Sequence, residues 1–143
     1  MAINMLGDMQ VIDSAQADGC VCLLGTADGD GKPQISPKGS MMVLDATHLA
    51  YWERSLRSAA ENVKANSHVV VYYRNTAKTE RFPRGAVWRF YGTADVLASG
   101  SERDKVWDKV IPGEREKDPD RKGTAVVIRV TRITDLSGKV IQE

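Results

Sequence analysis

The sequence predicts a mainly β protein, an antiparallel barrel of five or six strands with a few short helices. Its 143 residues contain several short apolar runs separated by polar turns rich in Gly and Asp, which is typical of antiparallel β proteins. Strand and helix patterns do not alternate regularly, and this argues against a parallel sheet. With 42% hydrophobic residues, the chain is expected to form a single domain over residues 1–143 around one modest core.

The N-terminal segment predicts an amphipathic helix that covers the core. Met5, Met9 and Ile12 fall at helical spacing. Asn4 is suited to cap the start of this helix, and the Ala-Asp-Gly sequence at 17–19 is suited to end it.

The next two segments predict a β-hairpin. Residues 20–26 form a nearly apolar run that is too short for an independent helix, and the Asp-Gly-Asp-Gly sequence at 28–31 is a strong turn signal before the strand that starts at Gln34. Cys20 and Cys22 are the only cysteines, and their spacing places both on one face of a strand. They therefore fit buried thiols in a reducing compartment better than a disulfide or a metal site.

The stretch from Gly31 to Asn66 predicts strand, turn, strand and helix, and the other elements are arranged around it. Extended-chain formers from Gln34 to Leu44 meet a polar turn at 45–47, and the apolar run resumes from His48 to Trp52. These two runs are expected to pair. Ser58 stands three residues before Glu61, the spacing of a reciprocal helix cap, and predicts a short helix that ends near residues 65–66.

The start of that helix is a plausible anion site. Its free backbone N–H groups are expected to face the end of the strand pair. Lys38, Arg54 and Arg57 are near enough in sequence to gather at the same end.

The second half of the chain predicts two long strands and one further helix. A buried strand from His68 to Tyr73 is followed by a basic polar connection from Arg74 to Gly85, read either as a solvated loop or as a rim that attracts an anion. Ala86 to Leu97 is the longest strand candidate, and Gly92 marks a bulge or a close approach. Ser101 with Asp104 repeats the cap signal.

The C-terminal segments complete the barrel. Pro112 and Gly113 are expected to end the helix that begins at Ser101, and residues 114–122, whose charges cancel, predict a mobile loop. Residues 125–130 then form a buried closing strand, which continues through 132–136.

Composition and motifs narrow the function. The 20 Lys and Arg residues balance 19 Asp and Glu residues, so the chain lacks the basic field of a nucleic-acid binder. No segment is long and apolar enough to span a bilayer, and we expect a cytoplasmic protein. Known catalytic motifs are absent, and His48 and His68 are better explained as strand-edge residues than as metal ligands. The sequence identifies no catalytic residues, which are therefore unknown, and no metal site is expected. A cofactor would supply the missing chemistry.

Four segments occur in the order and spacing of a known family. They are PQISPKGSMMVLD at 33–45, LAYW at 49–52, RSAAENVKANSHVVV at 57–71 and WRFYGTADV at 88–96. In these segments the chain resembles the FMN-binding split-barrel proteins of the pyridoxamine 5'-phosphate oxidase-like family. The resemblance is good from Gly19 to Leu97 and loose elsewhere. It implies a six-stranded antiparallel split barrel that binds FMN.

The resemblance also implies a cofactor site. In the family, the strand matching 35–39 lies along the isoalloxazine edge, and the segment matching Tyr51 to Ser58 holds the phosphate and ribityl chain. The implied cofactor-binding residues are Ser36, Pro37, Lys38, Gly39, Tyr51, Trp52, Glu53, Arg54, Arg57, Ser58 and Trp88. Lys38 is equally explained as a solvated strand residue, and Ser58 as a helix cap alone. Asn62 is expected to fix local backbone.

Some residues depart from the family pattern. Ser58 and Ala59 stand where many relatives have Thr or Lys, and Trp52 and Glu53 are bulkier and more acidic than usual. Glu53 would repel a phosphate, as would Glu61, unless Arg54 and Arg57 turn inward. These departures leave open whether FMN binding is weakened.

The family usually builds each site from two subunits. The resemblance therefore implies a homodimer with the cofactor site at its interface, where Trp88, Arg89 or Lys122 approaches from the partner chain.

Three functions fit the sequence. The first is an FMN-dependent oxidoreductase that acts on a small unidentified substrate. The second is a non-catalytic FMN protein for electron transfer or flavin storage, and the third is a split barrel that binds deazaflavin, haem or no cofactor.

Overall fold

One eight-stranded antiparallel sheet forms most of the molecule and curls into a split barrel. The structure is a computed structural model that describes residues 2–55 and 57–143. The strands are β1 (Cys22–Ala27), β2 (Pro33–Lys38), β3 (Met42–Val43), β4 (His48–Glu53), β5 (His68–Asn75), β6 (Ala86–Leu97), β7 (Thr124–Thr134) and β8 (Val140–Gln142). Their order in the sheet is β2-β1-β5-β6-β7-β4-β3, and β8 pairs with β7.

The antiparallel split barrel is confirmed, but the structure has more strands than the six predicted. The run from Gln34 to Leu44 is two strands, because the chain turns at residues 39–41 between β2 and β3. In the same turn the Met41 N–H donates to the Lys38 carbonyl at 3.3 Å. The short strand β8 follows a turn at Asp135 and was not predicted.

The split lies where the two edges of the sheet meet. β2 and β3 are at opposite ends of the strand order, yet they are consecutive in the chain. Residues 39–41 therefore carry the chain from one edge to the other. Ser40 fixes this crossing, because its Oγ accepts a hydrogen bond from the Trp52 N–H at 2.9 Å and donates to the Trp52 carbonyl at 3.3 Å.

The main core fills the inside of the barrel. Tyr51, Tyr73 and Phe90 are its largest fully buried side chains. Met9 and Ile12 close one end from a short 3-10 helix, Asp8–Ser14. The predicted covering role of this segment is confirmed by their burial, whereas its form and its cap are not as predicted.

That first helix begins later than the sequence suggested. Gly7, at φ +98°, is its N-cap, and Asn4 instead accepts a hydrogen bond from the Leu6 N–H at 3.1 Å. Only glycine adopts such a φ without strain. The cap therefore lies at Gly7, and Leu6 is half exposed.

The described residues form three α-helices: α1 (Ser58–Ala65), whose Val63 joins the main core, α2 (Ser101–Lys109) and α3 (Pro112–Arg115). Both predicted serine caps are wrong by one residue, because Ser58 and Ser101 are the first helical residues and neither helix has a side-chain cap. The N-caps are Arg57 and Gly100. At the first of these, the Arg57 N–H donates to Ser55 Oγ at 3.1 Å.

A second small core lies on the outer face of β4 and β7. There α2 buries Val106 and packs Trp107 edge-on against Trp52, with ring centroids 4.8 Å apart. Pro112 lies beyond the end of α2 and also begins α3, because it occupies the first helical position of that helix.

The prediction of a mobile loop at 114–122 is wrong. Glu114 and Asp118 are both buried. Asp118 Oδ2 accepts hydrogen bonds from Trp52 Nε1–H and the Gly123 N–H, each at 2.8 Å, and its Oδ1 accepts from the Lys122 N–H at 3.0 Å. Glu114 and Asp118 are thus held by specific hydrogen bonds, whereas Glu116, Lys117, Asp120 and Lys122 are exposed.

Gly92 has the role expected from its place in β6. The strand register shifts between Tyr91 and Gly92, and a Cβ on Gly92 would collide with the Arg129 carbonyl. The close approach of two backbones therefore requires glycine. Among the residues that the structure describes, no helix has the length and apolar character needed to cross a membrane.

Candidate functional site

Two adjoining clefts open at the split of the barrel. The larger has a volume of about 770 Å³ and the smaller about 140 Å³. The larger is lined by Pro37, Lys38, Gly39, Ser40, Trp52, Glu53, Arg54, Ser55, Arg57 and Glu114. The smaller shares four of these residues and adds Gln34, Ser36, Ser58, Ala59 and Ala60. The shared wall makes the two clefts one continuous site.

An ion pair at the bottom of this site joins β2, at one edge of the sheet, to β4, which lies beside the other edge. Lys38 is the last residue of β2 and Glu53 is the last residue of β4. Lys38 Nζ lies 2.8 Å from Glu53 Oε2, and the two side chains are only 13% and 6% exposed. Glu53 Oε1 also accepts a hydrogen bond from the Ser55 N–H at 3.2 Å. The pair neutralises both charges and fixes the strand ends on either side of the split.

Tyr51 lies beneath this pair, inside the barrel. Lys38 Nζ is 5.3 Å from the centroid of its ring. Its hydroxyl is buried and has no hydrogen-bond partner among the described residues. Burial raises the pKa of Tyr51 well above its ordinary value, and the charge of Glu53 raises it further. The phenol therefore stays protonated at neutral pH.

The two arginines of the site differ in their ionic partners. Arg54 Nε lies 3.9 Å from Glu114 Oε2, at the limit of an ion pair. Arg57 makes no ion pair within the described part of the chain, is exposed, and lines both clefts beside the start of α1. Arg57 is thus the cation of the site best placed to take an external anion.

Glu114 is a site residue that the sequence did not reveal. It is 7% exposed and lines the larger cleft from α3. Its Oε1 accepts a hydrogen bond from Gln16 Nε2 at 2.8 Å. A Cβ on Gly39 would collide with the ends of both of these side chains, so the glycine lets them pack directly against the turn after β2. No local sequence pattern indicates this contact, because Gln16 and Glu114 are 98 residues apart.

The structure brings together most of the predicted site residues. Those that line the clefts are Ser36, Pro37, Lys38, Gly39, Trp52, Glu53, Arg54, Arg57 and Ser58. Tyr51 lies under the site and does not line it. Leu56, in the predicted segment from Tyr51 to Ser58, falls outside the described residues. Asn62 lines neither cleft, but it does not fix local backbone as expected, because its Nδ2 donates to Thr26 Oγ1 of β1 at 3.1 Å and ties α1 to the sheet.

Trp88 is the exception, because it lies apart from the clefts of its own chain. It stacks on Tyr73 with ring centroids 5.7 Å apart and contacts Phe82 and Phe90 edge-on. Tyr73 is directly opposite Trp88 in the β5–β6 register and is fully buried, which puts Trp88 on the inner face of the sheet.

The basic connection and the histidines lie elsewhere. No residue of 74–85 lines either cleft, and Arg81 forms an ion pair with Asp8 at 2.6 Å. His48 Nδ1 is 2.9 Å from Asp45 Oδ1, and His68 is exposed. The described residues contain no group of His, Cys, Asp and Glu suited to a metal ion.

The fold matches those of known proteins. Among solved structures, a candidate pyridoxamine 5'-phosphate oxidase from Lactobacillus delbrueckii is 29% identical, with a TM-score of 0.64 over 90% of this chain and 93% of that chain. An FMN-binding protein from Syntrophomonas wolfei is 15% identical, with a TM-score of 0.67 over 87% and 83% of the two chains. A heme-binding protein from Mycobacterium smegmatis is 14% identical, with a TM-score of 0.68 over 90% and 53%. The last two matches show the fold alone.

Sequence comparison assigns the family. No curated protein is significantly similar in sequence. The family model described as pyridoxamine 5'-phosphate oxidase, however, matches residues 15–137, most of the chain. The chain therefore belongs to the pyridoxamine 5'-phosphate oxidase-like family of split-barrel proteins.

Proposed function

We propose that the cleft binds FMN through its phosphate and that the protein is an FMN-dependent oxidoreductase acting on a small substrate. The observation that carries this proposal is Arg57, a cation without an ionic partner in the described chain, on the wall shared by both clefts. A guanidinium in this position is suited to bidentate recognition of a phosphate.

The other groups of the site support a phosphate at the same end. Ser55 and Ser58 supply hydroxyl groups, and the N-terminus of α1 supplies a favourable helix dipole. The expected repulsion by Glu53 is offset by Lys38 and not by the arginines, because the two charges are 2.8 Å apart. Glu61 is exposed and lines neither cleft. The departures from the family pattern are therefore compatible with an anionic cofactor.

The size of the cleft also fits a cofactor. Small-molecule sites typically enclose roughly 300–1,000 Å³, and the larger cleft measures about 770 Å³. When bound, FMN would supply the hydride or electron transfer that the side chains lack. In this role Arg57 holds the phosphate, the Lys38–Glu53 pair keeps the floor of the cleft neutral, and Tyr51 remains a protonated group below it.

A homodimer that completes the site is part of the proposal. The outer face of β1, β2 and β5 carries one row of Ile35, Gly25 and Val70 and a second row of Pro37, Leu23 and Tyr72. Ile35 is 72% exposed, and Pro37 also lines the larger cleft. An apolar face that continues into a cofactor cleft favours a second copy as its cover.

Arg89 is better placed than Trp88 to contribute from a partner chain. Arg89 lies opposite Tyr72 in the register, on the outer face, with its guanidinium 5.7 Å from that ring. Trp88 points to the inner face and packs within its own chain. The contributions of Trp88 and Lys122 remain predictions.

A non-catalytic FMN carrier is the second candidate function. It is favoured by the absence, among the described residues lining the cleft, of a histidine or cysteine that would serve as an acid, base or nucleophile. The same absence argues against an axially ligated haem in this cleft. NAD(P)H oxidation with an added electron acceptor separates the enzyme from the carrier.

The test of the proposed function compares FMN with riboflavin, which lacks the phosphate. Arg57→Ala should weaken FMN binding about 10- to 100-fold, the effect of losing a charge-assisted phosphate contact, and riboflavin binding less than about threefold. Arg84→Ala, an exposed arginine of the basic connection, is the matched control and should change neither. Equal losses for both flavins in Arg57→Ala would show that Arg57 does not bind the phosphate.

A further inference from the structure

We propose that Glu114 is a specificity-determining residue that accepts a hydrogen bond from a neutral N–H donor on the ligand, at the end opposite the ligand's anionic group. This inference rests on the proposed function of the cleft as a flavin site. It assigns a role to a carboxylate in the segment that the sequence predicted to be a mobile loop.

One oxygen of this carboxylate is occupied and the other is not. Glu114 Oε1 accepts hydrogen bonds from Gln16 Nε2 at 2.8 Å and from Lys117 Nζ at 3.4 Å. Glu114 Oε2 accepts no hydrogen bond from the described residues, and Arg54 Nε lies 3.9 Å away. A carboxylate has about four acceptor positions. Oε2 therefore keeps free acceptor capacity on a side chain that is only 10% exposed and lines the cleft.

Burial makes this free oxygen significant. An oxygen that opens onto the cleft from a side chain only 10% exposed is poorly hydrated, and a ligand donor that reaches it gains a charge-assisted hydrogen bond. Glu114 is also held in place before any ligand arrives, because Gln16 and the tight turn at Gly39 pack against it. A preorganised acceptor of this kind discriminates strongly between a donor and an isostere that lacks the N–H.

The charges around Glu114 select a neutral donor over a cationic one. Lys117 and Arg54 flank the carboxylate, and Arg57 lines the same cleft. Because Lys38 and Glu53 neutralise each other, an ammonium group entering beside Glu114 would meet more positive charge than negative. The imide N–H of a flavin ring is a neutral donor of the required kind.

The same charges fix the orientation of the ligand. Arg57 lines both clefts, whereas Glu114 lines only the larger one. Arg54 and Lys117 are already paired with Glu114, whereas Arg57 has no ionic partner among the described residues, so the anionic group is directed to Arg57 and the uncharged ring to the end with Glu114 and Gly39. Glu114 and Arg57 would thus recognise different parts of one ligand.

The test uses riboflavin and N3-methylriboflavin, which differ only in the ring N–H, in fluorescence titrations of the whole protein. The wild type should bind riboflavin about tenfold more tightly than the N3-methyl compound. In Glu114→Ala this preference should fall to about one, and in Glu114→Gln, which keeps a weaker neutral acceptor, it should be intermediate. Glu116→Gln, an exposed neighbour, is the control and should retain the tenfold preference.

The ratio of two affinities separates recognition from damage to the fold, since both ligands report on the same folded fraction. A preference that persists in Glu114→Ala would mean that the methyl group is excluded by shape, and the assignment of Glu114 would be wrong. If the wild type binds flavin and shows no preference, Glu114 likewise plays no part in recognition. If the wild type binds neither riboflavin nor FMN, the proposed function itself fails, and this inference fails with it.

Discussion

Replacing Lys38 by Met tests whether the Lys38–Glu53 pair holds the split of the barrel. The substitution removes one charge and keeps an apolar stem of similar length. Glu53 would then remain as a carboxylate only 6% exposed, without its cation at 2.8 Å. Removing one partner of a buried ion pair typically costs about 3–5 kcal/mol, because the other charge stays buried and uncompensated. We expect the lower end, about 3 kcal/mol, since Lys38 is itself 13% exposed.

Urea unfolding followed by tryptophan fluorescence measures this loss. With an m-value of about 1.5–2 kcal/mol/M, a loss of about 3 kcal/mol lowers the midpoint by about 1.5–2 M. The matched control is the double variant Lys38→Met with Glu53→Gln, which removes both charges and keeps an acceptor for the Ser55 N–H. It should recover most of the stability, with a residual loss of about 1 kcal/mol.

The same variants report on the cofactor. With Lys38 replaced, the charge of Glu53 is exposed to an incoming phosphate, so FMN should weaken more than riboflavin, and the double variant should remove this difference. A single variant that loses less than about 1 kcal/mol, or a double variant no more stable than the single one, would show that this pair is not a desolvated, structural ion pair.

Two further predictions concern the covering segment and the outer face. Asp118→Asn should cost about 1–2 kcal/mol in urea unfolding, because the charged acceptor of Trp52 Nε1–H is lost. Burial alone would raise the pKa of Asp118, but hydrogen bonds from Trp52 and backbone N–H groups, with the charge of Arg103, lower it below its usual 3.8. The ionised form therefore stabilises the fold above that pH, and the difference between wild type and Asp118→Asn should shrink as the pH falls below about 4; a constant difference would exclude the ionised acceptor. Ile35→Glu should dissociate the dimer, as measured by light scattering, and should weaken FMN binding at the same time. Leu6→Glu changes an exposed apolar residue elsewhere and should do neither. A monomeric wild type with FMN fully bound would rule out a shared site.

The sheet was largely predictable because its signals are local. The run from Ala86 to Leu97 is one strand with the expected bulge at Gly92, and the Asp-Gly turn at 28–31 joins β1 to β2. The break of the Gln34–Leu44 run was not predictable, because it depends on the sheet closing and on Ser40 bonding the distant Trp52 backbone. Apolar pattern alone does not show where a strand leaves one edge and joins the other.

The candidate site was predicted in part for the same reason. Lys38, Arg54 and Arg57 are brought together as expected, since short connections place them near the split. The ionic partners of these residues were not predictable from the sequence. Lys38 pairs with Glu53, and Arg54 faces Glu114, which comes from α3 about 60 residues later. The predicted helix caps were wrong by one residue, because a serine three residues before an acidic residue marks a helix start only to within a residue.

FMN binding in the cleft is tested most directly by titrating the purified protein with FMN, then desalting it and recording a visible spectrum. A cleft in which Arg57 is a cation without an ionic partner in the described chain and the floor is neutral predicts saturable quenching of flavin fluorescence. It also predicts that the absorption bands of oxidised flavin remain with the protein after desalting. A spectrum without flavin and a titration without saturation would contradict the proposal that this split barrel is an FMN protein.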